Sequence, residues 1–124
     1  MRPFLSATGL ALAAALLAFG SANAEAPAEY GWCASTNTRE ATVYYSDVFE
    51  VDGLERDVSG QWYGFMQYHF PGADLTSARC VIEDRGLSAD GARADRDRYV
   101  EEMAPLFHAA PSRVSTRWVV TPYW

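Results

Sequence analysis

Hydrophobic and polar positions are most sharply organised between Thr42 and Val51 (TVYYSDVFEV), where β-branched and aromatic residues crowd together. Val43, Tyr45, Phe49 and Val51 fall on one face of the strand this predicts, and Asp47 interrupts them. Such an interruption marks a bulge, a rim position or a functional acid. Upstream, Tyr30 to Ser35 (YGWCAS) reads as a short strand, and Thr36 to Glu40 (TNTRE) has the chemistry of the turn that joins the two into a hairpin.

The period then changes. After Asp52-Gly53, the residues Leu54, Val58, Trp62, Phe65 and Phe70 recur at roughly helical spacing, despite Gly60 and Gly64, until Pro71-Gly72 stops the pattern. Ala78 to Glu83 (ARCVIE) is a short strand with Ala78, Cys80 and Ile82 on one face. Ser88 or Asp90 caps a second helix running to about Phe107, with Ala92, Tyr99, Val100, Met103, Leu106 and Phe107 as its apolar stripe. Arg93 with Asp97 and Arg98 with Glu102 place opposite charges at i,i+4 on its outer face. Arg113 to Val120 (RVSTRWVV) alternates as a final strand, with Val114, Thr116, Trp118 and Val120 inward.

The element order β-β-α-β-α-β predicts an α+β fold: a mixed sheet of three or four strands with two helices on one face. This order resembles that of SPOR-type peptidoglycan-binding domains and of ferredoxin-like folds over about residues 41 to 120. The likeness is one of architecture, with no residue motif to carry a site or a ligand across.

The N-terminus reads as an export signal. Arg2 precedes the apolar run Leu5 to Phe19, and Ala22-Asn23-Ala24 supplies a small-x-small cleavage site, so residues 1–24 are expected to be removed. The apolar run, about 15 residues, is shorter than the ~20 of a membrane-spanning helix, and no transmembrane segment is expected. Residues 25–124 then form a single domain, with loose ends at 25–29 and 121–124, in the periplasm or the secreted fraction of a bacterial cell. In that oxidising setting the lone pair Cys33 and Cys80 reads as a disulfide. Closing a loop of about 47 residues contributes roughly 4 kcal/mol in the chain-entropy treatment.

Sixteen acidic residues against ten basic ones, all arginine, give a net charge of −6. Eight of the acids lie between Glu25 and Asp57. That balance argues against a nucleic-acid partner and favours a basic or neutral one.

No nucleophile, phosphate-loop or metal-ligand pattern stands out, and neither a cofactor nor a metal is expected. Candidate chemistry therefore rests on acids beside aromatics, which are favoured at binding surfaces. Tyr44, Asp47, Glu50, Trp62 and Tyr63 form the expected binding surface, for an unknown protein or a peptidoglycan-type glycan. An inhibitor- or immunity-like module presenting acids to a basic cleft is one form of this expectation. The alternatives are a small envelope hydrolase using Asp47 with His69, and a purely structural secreted protein.

Overall fold

The computed structural model describes residues 28–51, 55–103, 106–107 and 111–121. The expected export segment and the last three residues lie outside the described residues.

The strands are β1 (Tyr30–Asn37), β2 (Thr42–Tyr45), β3 (Phe49–Glu50), β4 (Arg79–Ile82) and β5 (Ser112–Ser115). The helices are α1 (Glu55–His69) and α2 (Ala89–Met103), and a 3₁₀ turn covers Leu75–Ser77. β1 is the centre of the sheet. It pairs antiparallel with β4 along one edge, and with β2 and then β3 along the other. β5 adds to β2 in parallel, so the five-stranded sheet is mixed. The α+β class, the mixed sheet, the two helices and the Cys33–Cys80 disulfide match expectation.

The stretch 42–51 is a single strand broken by a bulge. Ala34 pairs with Tyr45, yet Gly31 pairs with Phe49, so one extra residue is accommodated around Asp47. Because side chains alternate with period two, the extra residue reverses the faces beyond it. Tyr44, and not Tyr45, therefore shares the apolar core with Phe49 and Val51.

Ser46 closes the bulge. Its backbone N–H donates to the Cys33 carbonyl at 2.9 Å. Its Oγ, where the ladder would offer a carbonyl, accepts from the Cys33 N–H at 2.8 Å. The Ser46 carbonyl thus freed accepts from the Arg96 guanidinium of α2 at 3.0 Å.

The helices lie on opposite faces, which corrects the expectation of both on one. On the first face Trp62 of α1 donates its indole N–H to Ser35 Oγ at 2.9 Å, within a core of Cys33, Tyr44, Phe49, Val58 and Met66. On the other face Tyr99 of α2 meets Trp32 at 5.3 Å, and Arg96 lies over the Tyr45 ring. The connectivity explains the difference. β2 to β5 all run parallel to one another and antiparallel to β1. The α1 connection crosses β1 from β3 to β4, whereas the α2 connection returns across β1 and β2 to β5. Right-handed crossovers travelling in opposite directions place their helices on opposite faces. The one-face layout expected from the element order is therefore not the one observed.

Several ends also differ from expectation. α2 ends at Met103, short of Phe107, and Leu106 is exposed. β5 stops at Ser115, and Arg117 adopts a φ of 60°, a left-handed conformation that breaks the ladder. Trp118 and Val120 still turn into the core. Glu29 and Thr121, expected in loose ends, are held: the Glu29 carbonyl accepts from the Val51 N–H, and Thr121 is bonded three ways to Gln61. Ser88 is the observed cap of α2, its Oγ accepting from the Gly91 N–H at 3.0 Å.

Replacing both Cys33 and Cys80 by Ala is expected to lower the unfolding free energy by about 2 to 5 kcal/mol, read from urea midpoints at constant m. Gly31 sits where β1, β3 and β4 converge, and a Cβ there would lie 2.9 Å from Ile82 Cδ1 and 3.0 Å from the Val81 carbonyl oxygen. Gly31→Ala is accordingly expected to cost about 1 to 3 kcal/mol in the same assay, because the backbone oxygen cannot rotate away.

Candidate functional site

The two faces of the sheet are built differently. Beneath α1 the contact is apolar apart from the Trp62–Ser35 hydrogen bond. Beneath α2 only Ala92, Arg96 and Val100 are buried on the helix, which rests on aromatic and charged side chains of the sheet. A helix with so narrow an apolar stripe leaves a cleft along each flank.

The cleft toward β5 has a volume of about 360 Å³ and is lined by Tyr45, Arg96, Val100 and Arg113 among others. Its cations already have partners. Arg113 makes a two-pronged bond to Glu101, at 2.6 and 3.0 Å. Arg96 bonds Asp97 twice while its guanidinium lies 4.9 Å from the Tyr45 centroid. These contacts clamp α2 to the sheet.

The cleft toward β4, about 190 Å³, is different. Along β4 the period of two sends Arg79, Val81 and Glu83 to the α2 side while Cys80 and Ile82 enter the core. From α2, Asp95 and Tyr99 face them at i,i+4. Trp32 on β1, only 3% exposed, builds the floor and donates its indole N–H to Glu83 Oε2 at 3.0 Å. The Arg79 guanidinium lies 5.6 Å from the Tyr99 ring centroid, a cation–π contact, and makes no ion pair among the described residues. Asp95 is paired with Arg98 at 2.6 Å, and both Arg98 and Glu102 also line the cleft.

Glu83 is the perturbed group of this cleft. Burial raises its pKa above the ordinary 4.5, and the hydrogen bond and negative charge of Asp95 raise it further. The Trp32 hydrogen bond, which favours the carboxylate, opposes the rise without cancelling it.

The residues expected to bind are dispersed. Trp62 is fully buried and Tyr44 is 8% exposed, with its ring 4.6 Å from Phe70, so both are core. Tyr63 is exposed on α1, Glu50 is exposed at the end of β3, and Asp47 is half-buried at the bulge with its N–H donating to the Trp118 carbonyl. His69 is exposed and packs its ring 4.6 Å from Phe65. Among the described residues no hydrogen bond or ion pair joins Asp47 to His69, Glu50 or Tyr63. No cluster of His, Cys, Asp and Glu suited to a metal occurs among them either.

Trp32, Arg79, Glu83, Asp95 and Tyr99 were not singled out in the sequence as a site. The Arg-x-Val-x-Glu alternation on a strand whose other face is Ala78, Cys80 and Ile82 is the signal that could have found them. No protein-family model matches the chain, nor does any curated protein or solved structure.

A carboxyl with a raised folded-state pKa binds its proton more tightly when folded. Stability is therefore lost as pH rises from 4.5 through the folded-state value, because the native state must then carry the disfavoured charge. Glu83→Gln, which keeps an acceptor for Trp32, is expected to flatten that part of the stability profile. Urea midpoints of both proteins between pH 4 and 8 measure it, and parallel profiles would count against the assignment.

Proposed function

We propose that this protein is an exported, non-catalytic binding module, and that its ligand is a cationic group presented by a partner protein to the cleft between β4 and α2. The export pattern at residues 1–24 and the Cys33–Cys80 disulfide support action outside the cytoplasm.

The observation that carries the reading is the Glu83 carboxyl, held by Trp32 and facing Asp95 in an open cleft. Its charge is disfavoured in the free protein. Asp95 is already paired with Arg98, and an ammonium or guanidinium entering the cleft gives Glu83 a counter-charge of its own, lowers that penalty and gains charge-assisted hydrogen bonds. The net charge of −6 attracts a basic partner from a distance and accelerates its encounter. The acid-and-aromatic character expected of the binding surface is thereby kept, at different residues.

The oxidised domain, immobilised in parallel with a Glu83→Gln/Asp95→Asn variant, is exposed to envelope extract at low salt, and the retained proteins are identified by mass spectrometry. A basic protein kept by the native domain, released by physiological salt and absent from the variant is the expected result. Equal retention on both baits, or retention of neutral glycan alone, overturns the assignment.

A further inference from the structure

The charges in the β4–α2 cleft are of both signs and are set in order. Arg79 on β4 and Glu83, the residue just after it, whose N–H still donates to the Tyr30 carbonyl, line the same side of the cleft four residues apart, about 13 Å between Cα atoms at the usual strand rise, with Val81 between them. The Glu83 end is acidic, reinforced by Asp95. The Arg79 end is basic, and its guanidinium is held against Tyr99 with no carboxylate partner among the described residues. Between the ends lie Val81 and Tyr99, and α2 also contributes Arg98, which is paired with Asp95, and Glu102, one turn beyond Tyr99. At about 190 Å³ the cleft is smaller than the roughly 300 Å³ at which drug-sized sites begin, so it takes one residue of a partner and not a folded segment.

Resting on the binding-module reading above, we infer that the cleft takes the C-terminal residue of a peptide chain when that residue is basic. Arg79 receives the terminal carboxylate, Glu83 with Asp95 receives the side-chain ammonium or guanidinium, and the aliphatic stem lies along Val81 and Tyr99. Each part of the ligand answers a part of the cleft. A guanidinium presents paired N–H donors that match a carboxylate, which suits Arg79 to the terminus better than to an isolated amide oxygen. A long basic side chain carries its charge several bonds from its own carboxylate, as the separation of Arg79 from Glu83 requires. An internal lysine would leave Arg79 unanswered. A C-terminal apolar residue would leave Glu83 facing Asp95.

The test uses three dipeptide probes on the oxidised domain: acetyl-Ala-Lys with a free carboxylate, its C-terminal amide, and acetyl-Ala-norleucine with a free carboxylate. Calorimetry gives the affinities, and the indole N–H resonance of Trp32, bonded to Glu83, reports occupancy of this cleft. The free-acid lysine peptide is expected to shift that resonance, and each of the other two to bind at least about tenfold more weakly, as loss of one charge-assisted contact implies. Arg79→Gln, at an exposed position, is expected to abolish the preference for acid over amide while keeping that for lysine over norleucine. Glu83→Gln/Asp95→Asn is expected to do the reverse. Equal binding of acid and amide overturns the inference and leaves the cation-binding reading standing. Failure of acetyl-Ala-Lys to bind, or to move the Trp32 resonance, overturns the inference as well. The capture experiment with the acid-pair variant then decides the broader reading independently.

Discussion

The structure depends on a single strand that must hydrogen-bond along both edges and cover both faces. β1 pairs with β2, β3 and β4, and from Gly31 to Asn37 all its residues are buried. A buried backbone group without a partner costs about as much as a lost hydrogen bond, so the bulge opposite Cys33 must be repaired where it occurs. Ser46 makes the repair by offering its hydroxyl to the Cys33 N–H, and its displaced carbonyl becomes the anchor for Arg96. One extra residue in β2–β3 thus sets the register of the core and fixes α2 to the far face. The Cys33–Cys80 bond joins β1 to β4 at this same level.

The two faces then divide the work of the fold. α1 forms in spite of Gly60 and Gly64, each costing about 1 kcal/mol in helix propensity, because Val58, Trp62 and Met66 lock it to the sheet. Neither glycine is required by close packing, since a Cβ at either would meet nothing within 4 Å. α2 has no comparable apolar contact. Its position comes from Ala92 and Val100 together with the Arg96 and Arg113 clamps, and such a polar attachment leaves space on both flanks. The cleft at β4 follows from using charge to hold a helix on a sheet. It stays open because its own charges are only partly matched to one another.

Much of the fold was legible in the sequence, and the misreadings have definite causes. The Thr42–Val51 pattern identified a strand and located its irregularity at Asp47. It could not say that an extra residue sits there, which exchanges the faces of Tyr44 and Tyr45. Arg113–Val120 alternates like a single strand, yet the backbone turns at Arg117 while Trp118 and Val120 keep their inward positions. Trp62 falls on the apolar stripe of its helix and is core, while its neighbour Tyr63 is exposed, so the two cannot share one binding surface. Of the residues expected to bind, Tyr44 and Trp62 lie in the core because they are large aromatics, which a core takes first.

By itself the sequence determined the strands and helices, a cap at Ser88 or Asp90, the stop at Pro71-Gly72, and an α+β class with a disulfide between Cys33 and Cys80. These follow from period, capping chemistry and the presence of just two cysteines in the chain. Only the tertiary structure decided the side of the sheet taken by each helix, because that depends on the direction in which each crossover travels. It also decided the site. Trp32, Arg79 and Glu83 with Asp95 and Tyr99 come from three separate elements, and their chemistry exists only once the sheet has placed β4 beside β1 and Arg96 has drawn α2 down across them.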